Sequence, residues 1–403
     1  MATRHPGDLI ASRSFGCTSH VRVGIVSESF LPHVNGVTNS VLRMLEHFQR
    51  RDIDAVVLAP GSPTHMLPDA YAGAQVHVLS SLPAPGYRQV RLCLPPEQRI
   101  RQVLAANDVD IVHLASPFLT GPAALRAADR LDLPVVAAYQ TDLAAFVTRY
   151  GLSVLSGIVW RRLRAIHGAA DLTLAPSRAA VGQLTEHGVP RVALLPRGVN
   201  LEQFHPRRRS RLLRRQLAPR GEALVGYLGR LAPEKCVEDL RVLHDMPGVR
   251  LVIIGDGPRQ RRLREILPDA VFLGFLQGEE LGRAVATLDV AVHPGPHETF
   301  CQSLQEVLAS GVPAVAVAAG GPLDLVDPSR NGWLYPPGDL GAMRSHVADL
   351  VGDPSKARAM GRRARAGVEH RTWTYVGDEL VAHYRNLIDT QSVESRVTTQ
   401  EAA

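Results

Sequence analysis

The chain has 403 residues, 45% apolar and 21% charged, enough for two folded domains with full cores. Its net charge of +6 is carried almost entirely by arginine, since only Lys235 and Lys356 are lysines. The cysteines Cys17, Cys93, Cys236 and Cys301 form no Cys-x-x-Cys pair, which argues against a disulfide framework or a zinc site and suits a reducing cytoplasm.

Residues 1–20 are polar and lack the apolar segment of a signal peptide, so they are expected to be disordered. From there, short β-rich runs at 21–27, 55–59, 110–115, 135–139 and 172–175 alternate with helical periodicity, for example at 40–49 and 157–167. A further strand is expected at 192–196. A polar, arginine-rich stretch follows, and the alternation restarts at 224–228, 251–254, 271–273, 290–293, 314–317 and 333–335. This is the pattern of an α/β chain with two doubly wound parallel sheets. The division falls near 197–220, giving domains of 21–200 and 201–375, a closing helix of 376–390 that crosses back to the first domain, and a disordered tail of 391–403. No apolar run reaches membrane-spanning length.

Several polar motifs follow strands, where open α/β sheets bind ligands. Asn35-Gly36 precedes a helix, and glycine there lets backbone amides approach a phosphate. Gly229-Arg230-Leu231-Ala232-Pro233-Glu234-Lys235 directly follows the strand at 224–228, so Arg230 and Lys235 can converge on a diphosphate. Gly255-Asp256-Gly257-Pro258 and Phe275-Leu276 stand at the ends of the next two strands, where they can line a nucleotide base. Glu298 and Glu306 follow the strand at 290–293. With a helix starting near the first, they lie roughly 12 Å apart at about 1.5 Å per residue, the span from a sugar to a ribose across a diphosphate. The helix N-terminus between them faces that diphosphate.

The short acidic patterns Asp52-Ile53-Asp54 and Asp108-Val109-Asp110 precede strands, so they point away from the ligand edge, and no metal is expected. Basic residues crowd between Arg149 and Arg220. Without a recognition motif or interleaved aromatic residues, nucleic acid is not the expected partner. An anionic membrane surface fits better, with a solvated interdomain face as the alternative.

These motifs together resemble the retaining glycosyltransferases of family 4, which have the GT-B fold of two Rossmann-like domains facing a cleft. The resemblance covers about residues 21–390. It rests on Asn35-Gly36-Val37, Arg197-Gly198-Val199-Asn200, Gly229-Arg230 with Glu234-Lys235, Gly255-Asp256-Gly257-Pro258, and Glu298 through Glu306 followed by Ala309-Ser310-Gly311-Val312-Pro313. Residues 28–40 and Tyr139-Gln140-Thr141-Asp142 are similar to actinobacterial GDP-mannose-dependent α-mannosyltransferases that act on glucuronosyl diacylglycerol or phosphatidylinositol mannosides.

The resemblance implies residue roles. Glu298 holds donor-hexose hydroxyls, Glu306 the ribose, and Arg230 with Lys235 the diphosphate, over which Gly36 closes. Asn35, Arg197, Gly229, Gly255, Asp256, Leu276, Phe300, Cys301 and Gln302 complete the donor site. Gln140 stands where many members carry histidine. Glutamine cannot act as a general base, so Gln140 and Asp142 are assigned to the sugar and the acceptor. The implied reaction requires no cofactor, because the leaving diphosphate itself takes the acceptor proton. The implied partners are a nucleotide-sugar donor and a lipid-linked acceptor at the inner face of the plasma membrane. A UDP- or ADP-sugar donor, a nucleotide-sugar epimerase and a non-catalytic glycolipid binder are the alternatives.

Overall fold

The computed structural model describes residues 20–33, 35–61, 68–84, 87–93, 96–143 and 156–401. Most of the expected N-terminal disordered segment, and Arg149, lie outside them. The first domain contains strands β1 (Arg22–Ser27), β2 (Asp54–Pro60), β3 (Ala70–Tyr71), β4 (Ala74–Leu79), β5 (Ser81–Ala84), β6 (Tyr87–Cys93), β7 (Ile111–Ala115), β8 (Val135–Ala138), β9 (Leu172–Ala175) and β10 (Val192–Leu194). Its main sheet runs β10-β9-β8-β7-β1-β2-β4-β3, parallel except for the β3–β4 pair, and β5–β6 is a separate antiparallel hairpin. The second domain contains β11 (Ala223–Leu228), β12 (Val249–Ile254), β13 (Val271–Gly274), β14 (Val290–His293), β15 (Ala314–Val317) and β16 (Gly332–Tyr335). They form a fully parallel sheet in the order β13-β12-β11-β14-β15-β16.

The expected strands are all present, and their central members are buried on both faces, as parallel sheets covered by helices must be. Strands β3 to β6 were not expected. In β4, Ala74 and Leu79 are buried while the residues between them are partly or fully exposed, so the segment lacks the continuous apolar run of its neighbours. Chain order reverses at β1, between β2 and β7, and at β11, between β12 and β14. These are the switch points at which open sheets leave a crevice.

The first helix, Gly36–Arg50, buries Val41, Met44, Leu45 and Phe48 at helical spacing against the sheet. The closing helix runs Trp373–Glu401, so it begins before the expected residue 376 and continues through the stretch read as a tail. That stretch contains neither glycine nor proline, the residues that would have stopped it. The helix belongs to the first domain's core: Leu380, Val381 and Tyr384 are buried with Ile25, Phe48 and Val136. Gly377 permits this approach, since a Cβ there would fall 2.4 Å from the His47 ring. Arg51 closes the contact with a two-pronged ion pair to Asp378 at 2.9 and 2.6 Å.

His113, in the middle of β7, hydrogen-bonds through Nδ1 to the Tyr384 hydroxyl at 2.8 Å. It is therefore a tie between sheet and closing helix. Burial lowers His113 and His167 to a pKa of about 4, from the ordinary 6.5. The unfolded chain takes up these protons first, so the stability they contribute is full above about pH 6.5 and lost as pH falls towards 4. Urea denaturation is expected to show the midpoint declining over that window. Tyr384→Ala is expected to lose about 3–5 kcal/mol at neutral pH by emptying the junction.

Candidate active site

The loops that leave the C-terminal ends of β1, β8, β11 and β14 meet over the cleft. On the first-domain side, Asn35 caps the Gly36–Arg50 helix. Its Oδ1 accepts from Val37 N and Thr38 N at 3.0 Å each, and its Nδ2 donates to Ser29 Oγ at 2.6 Å. One Nδ2 hydrogen and the backbone remain for any ligand contact at Asn35. Glu28 stitches the floor: its Oε1 accepts from the backbone N–H groups of Phe118, Leu119 and Thr120 and from the Thr120 hydroxyl, at 2.5–2.9 Å. Burial raises its pKa, and these hydrogen bonds hold the shift back.

On the second-domain side, Lys235 Nζ donates to Glu298 Oε1 at 2.7 Å, both side chains being largely buried. Burial alone would lower the Lys235 ammonium, but the facing carboxylate outweighs it and the pKa lies above the ordinary value. Glu298 sits in a loop, not at a helix start: the helix is Gln302–Ala309, with Cys301 at φ +73° as its N-cap. The loop is held by Gly320-Gly321, a doublet not singled out in the sequence. Gly321 N donates to Glu298 O at 2.7 Å, and a Cβ on Gly321 would lie 2.1 Å from Phe300 O. Phe300 and Cys301 are buried. Burial and the neighbouring Glu298 push the Cys301 thiol far up, so it stays protonated and is no nucleophile.

Arg197 joins the two sides. Its Nη1 donates to Gly36 O at 3.2 Å and its Nη2 to Gln140 Oε1 at 3.1 Å. Burial lowers the guanidinium to about 10, and Glu298 partly restores it. Two glutamines of the Gln302–Ala309 helix grip the same segment, Gln305 Nε2 on Arg197 O at 2.9 Å and Gln302 Nε2 on Gly198 O at 3.0 Å. Across the cleft, Thr299 Oγ1 donates to Gln140 O at 3.0 Å. Farther along, Asp324 Oδ2 accepts from Arg178 N at 2.5 Å, capping a first-domain helix (Arg178–Glu186) with a second-domain carboxylate. Thr299, Gln305 and Asp324 carry no local sequence signal, because each acts on a residue more than one hundred positions away.

The structure thus brings Gly36, Gln140, Arg197, Lys235 and Glu298 into one connected group. Glu306, four residues along the helix from Gln302, is linked to it only by a long contact of 3.5 Å from Gln302 Nε2. Burial raises Glu306 to about 7. Arg230 is exposed, and among the described residues its side chain has no partner. Asp142 accepts from Gln183 Nε2 at 2.9 Å within the first domain. Leu276 packs on the second domain's core, and the exposed ring at that strand end is Phe275.

The Gly255-Asp256-Gly257 turn locks the Gly229–Leu231 loop backbone to backbone. Leu231 N donates to Asp256 O at 2.9 Å, and a Cβ on Gly255 would stand 2.0 Å from Gly229 O. The short acidic patterns are structural: Asp110 Oδ2 accepts from Arg22 N at 2.9 Å, and Asp108 and Asp54 pair with the Arg22 guanidinium.

Part of the arginine-rich stretch between Arg149 and Arg220 is committed to ion pairs within the chain. Arg209 and Arg214 converge on Asp289 at 2.7 and 2.6 Å, and Arg208 meets Glu279 at 2.9 Å. Arg207, Arg211 and Arg215 remain exposed.

Two parallel-sheet domains, with cations and a carboxylate converging where their switch points face each other, define a glycosyltransferase of the GT-B fold. The pattern of Glycosyltransferase Family 4 matches residues 34–203 and that of Glycosyl transferases group 1 matches residues 209–367. The chain belongs to glycosyltransferase family 4. It is 45% identical over 378 residues to a GDP-mannose-dependent alpha-mannosyltransferase of Mycolicibacterium smegmatis, covering 93% of this chain and all of that one. It is 44% identical over 385 residues to the protein of the same name from Mycobacterium tuberculosis, covering 95% of this chain and 99% of the other. Among solved structures, sucrose-phosphate synthase from Thermosynechococcus elongatus superposes with a TM-score of 0.77 at 21% identity, over 92% of this chain and all of that one, a likeness of fold.

Because Gly255 sits at φ +135° with no room for a side chain, Gly255→Ala must displace the Gly229–Leu231 loop. A loss of about 2–4 kcal/mol in thermal or urea unfolding is expected.

Proposed function

We propose that this protein transfers α-mannose, with retention of configuration, from GDP-mannose to a hydroxyl of a membrane glycolipid. The observation that carries the reading is the identity along the whole length of a GDP-mannose-dependent relative, combined with Lys235 and Glu298 in contact at the switch point. Lys235, with Arg230 reaching in from the rim, would take the donor diphosphate. Glu298, released from Lys235, would accept hydrogen bonds from the hexose hydroxyls. Glu306 would accept from the ribose.

In the chemical step, the acceptor oxygen bonds to the anomeric carbon on the face from which the diphosphate oxygen departs. The acceptor proton passes to an oxygen of the leaving diphosphate, and GDP is released. No side chain need act as a base, which fits Gln140 and a protonated Cys301. Charge on the leaving group is met by Lys235, Arg230 and the N-terminus of the Gln302–Ala309 helix, so the reaction is proposed to run without metal.

Among the described residues no helix is long and apolar enough to cross a membrane. Contact with a lipid acceptor is proposed to occur at the surface. Exposed apolar groups such as Leu82 and Ile158 on the first domain, with Arg161 one helical turn from Ile158, support peripheral docking on anionic lipid.

Incubation with labelled GDP-mannose and total membrane lipids, with and without EDTA, is expected to yield a labelled glycolipid in both cases. Free mannose alone, or label transferred only from a UDP- or ADP-sugar, would overturn the assignment. Glu298→Ala should reduce turnover by at least about 10²-fold while unfolding as the parent does. The pH profile of donor affinity supplies a further check. A carboxylate accepts ribose hydroxyls better than a carboxylic acid, so GDP affinity measured by calorimetry should weaken as pH falls through about 7. Glu306→Gln should flatten that profile.

A further inference from the structure

The Arg197 contact dictates which way round the Gln140 amide lies. A guanidinium has donors only, so the atom it meets must be the amide oxygen. Gln140 Oε1 is occupied by Arg197 Nη2 at 3.1 Å, and the backbone oxygen of Gln140 is occupied by Thr299 Oγ1 at 3.0 Å. Its Nε2 has no partner among the described residues and is not one of their buried, unpaired polar atoms. Arg197 therefore fixes the amide with Nε2, its unpartnered end and an N–H pair, as the group Gln140 has free to offer the cleft. Thr299 is the residue after Glu298, and Glu298 acts electrostatically on Arg197, so the Gln140 amide lies in the neighbourhood of the carboxylate proposed for the hexose.

We propose that Arg197 is a positioning residue that fixes Gln140 as an obligate hydrogen-bond donor to an oxygen of the transferred sugar, so that sugar recognition depends on a residue that itself touches no sugar. This rests on the functional reading above and adds to it a division of labour. Glu298 accepts from the sugar and Gln140 donates to it. Two of the Arg197 N–H donors are engaged by Gly36 O and Gln140 Oε1, which gives Arg197 a positioning role beside the donor contact that the resemblance implies. The polarity of the pair matters more than its shape. A carboxylate at 140 would satisfy Arg197 at least as well as the amide, yet it would face the sugar with an acceptor.

The test compares GDP with GDP-mannose by calorimetry on the full chain, for Gln140→Glu, Arg197→Met and Arg197→Lys. Gln140→Glu should keep the parent's thermal stability and its GDP affinity within about twofold, while GDP-mannose affinity and kcat/KM fall by about tenfold, the worth of the one donated hydrogen bond that is lost. Arg197→Met, which frees the amide to turn over, should show the same loss confined to the sugar-bearing ligand. Arg197→Lys, which keeps a donor at that place, should recover part of it. Equal loss for GDP and GDP-mannose in Arg197→Met would mean that Arg197 supports the site as a whole, and would overturn the proposal. Wild-type affinity for GDP-mannose in Gln140→Glu would overturn it too, and this variant remains informative if Arg197→Met does not fold. Failure of the parent to bind either ligand would count against the donor assignment itself, which separates the two readings.

Discussion

A half-buried arginine between two domains is the constraint around which the cleft is arranged. Taking a guanidinium out of water costs several kcal/mol unless its donors are met. Arg197 meets two of its five with one carbonyl from the first helix's turn and one amide oxygen from the end of β8. Its own carbonyl and that of Gly198 are gripped by Gln305 and Gln302 of the second domain. The segment cannot shift without leaving a charge or a buried amide unsatisfied. Loops from four strand ends are therefore held to one geometry, with Lys235 and Glu298 already paired where the ligand is to come.

That pairing leaves neither charge without a counterpart. Both charges are largely buried, and each answers the other at 2.7 Å. On the proposed reading, a diphosphate replaces Glu298 as the partner of Lys235, and sugar hydroxyls replace Lys235 as the partner of Glu298. Binding then exchanges one set of satisfied charges for another and avoids desolvating either group afresh. The high pKa of the buried Cys301 thiol and the absence of a base at position 140 agree with a site that positions its reactants and steadies charge.

Much of this was legible in the sequence because the signals are local. Parallel strands buried on both faces read as apolar runs, and Lys235 and Glu298 declare themselves by following such runs directly. Where the determinant is distant, the sequence is mute. Nothing near Glu298 indicates that its loop is clasped by Gly320-Gly321, and nothing near Thr299 points to the Gln140 carbonyl. The Gly255-Asp256-Gly257 turn was legible as a turn but not in its purpose, which is to let one backbone lie against another. The helix expected to begin at Glu298 begins at Gln302, since the left-handed Cys301 interrupts it. Strand β4 was missed because only its end residues are buried where its neighbours are continuously apolar, and the closing helix was underestimated because a polar stretch with no breaker looks like a tail.

The closing helix also sets an order of events during synthesis. The first domain's core includes Leu380, Val381 and Tyr384, and His113 finds its partner only in Tyr384. A growing chain that has completed all ten strands of that domain still lacks one wall of it. The missing wall emerges from the ribosome only after the entire second domain has been made. The first domain must therefore wait, with Ile25 and Phe48 incompletely covered, while its successor folds. The two halves of the cleft thus become complete in the reverse of the order in which they are encoded.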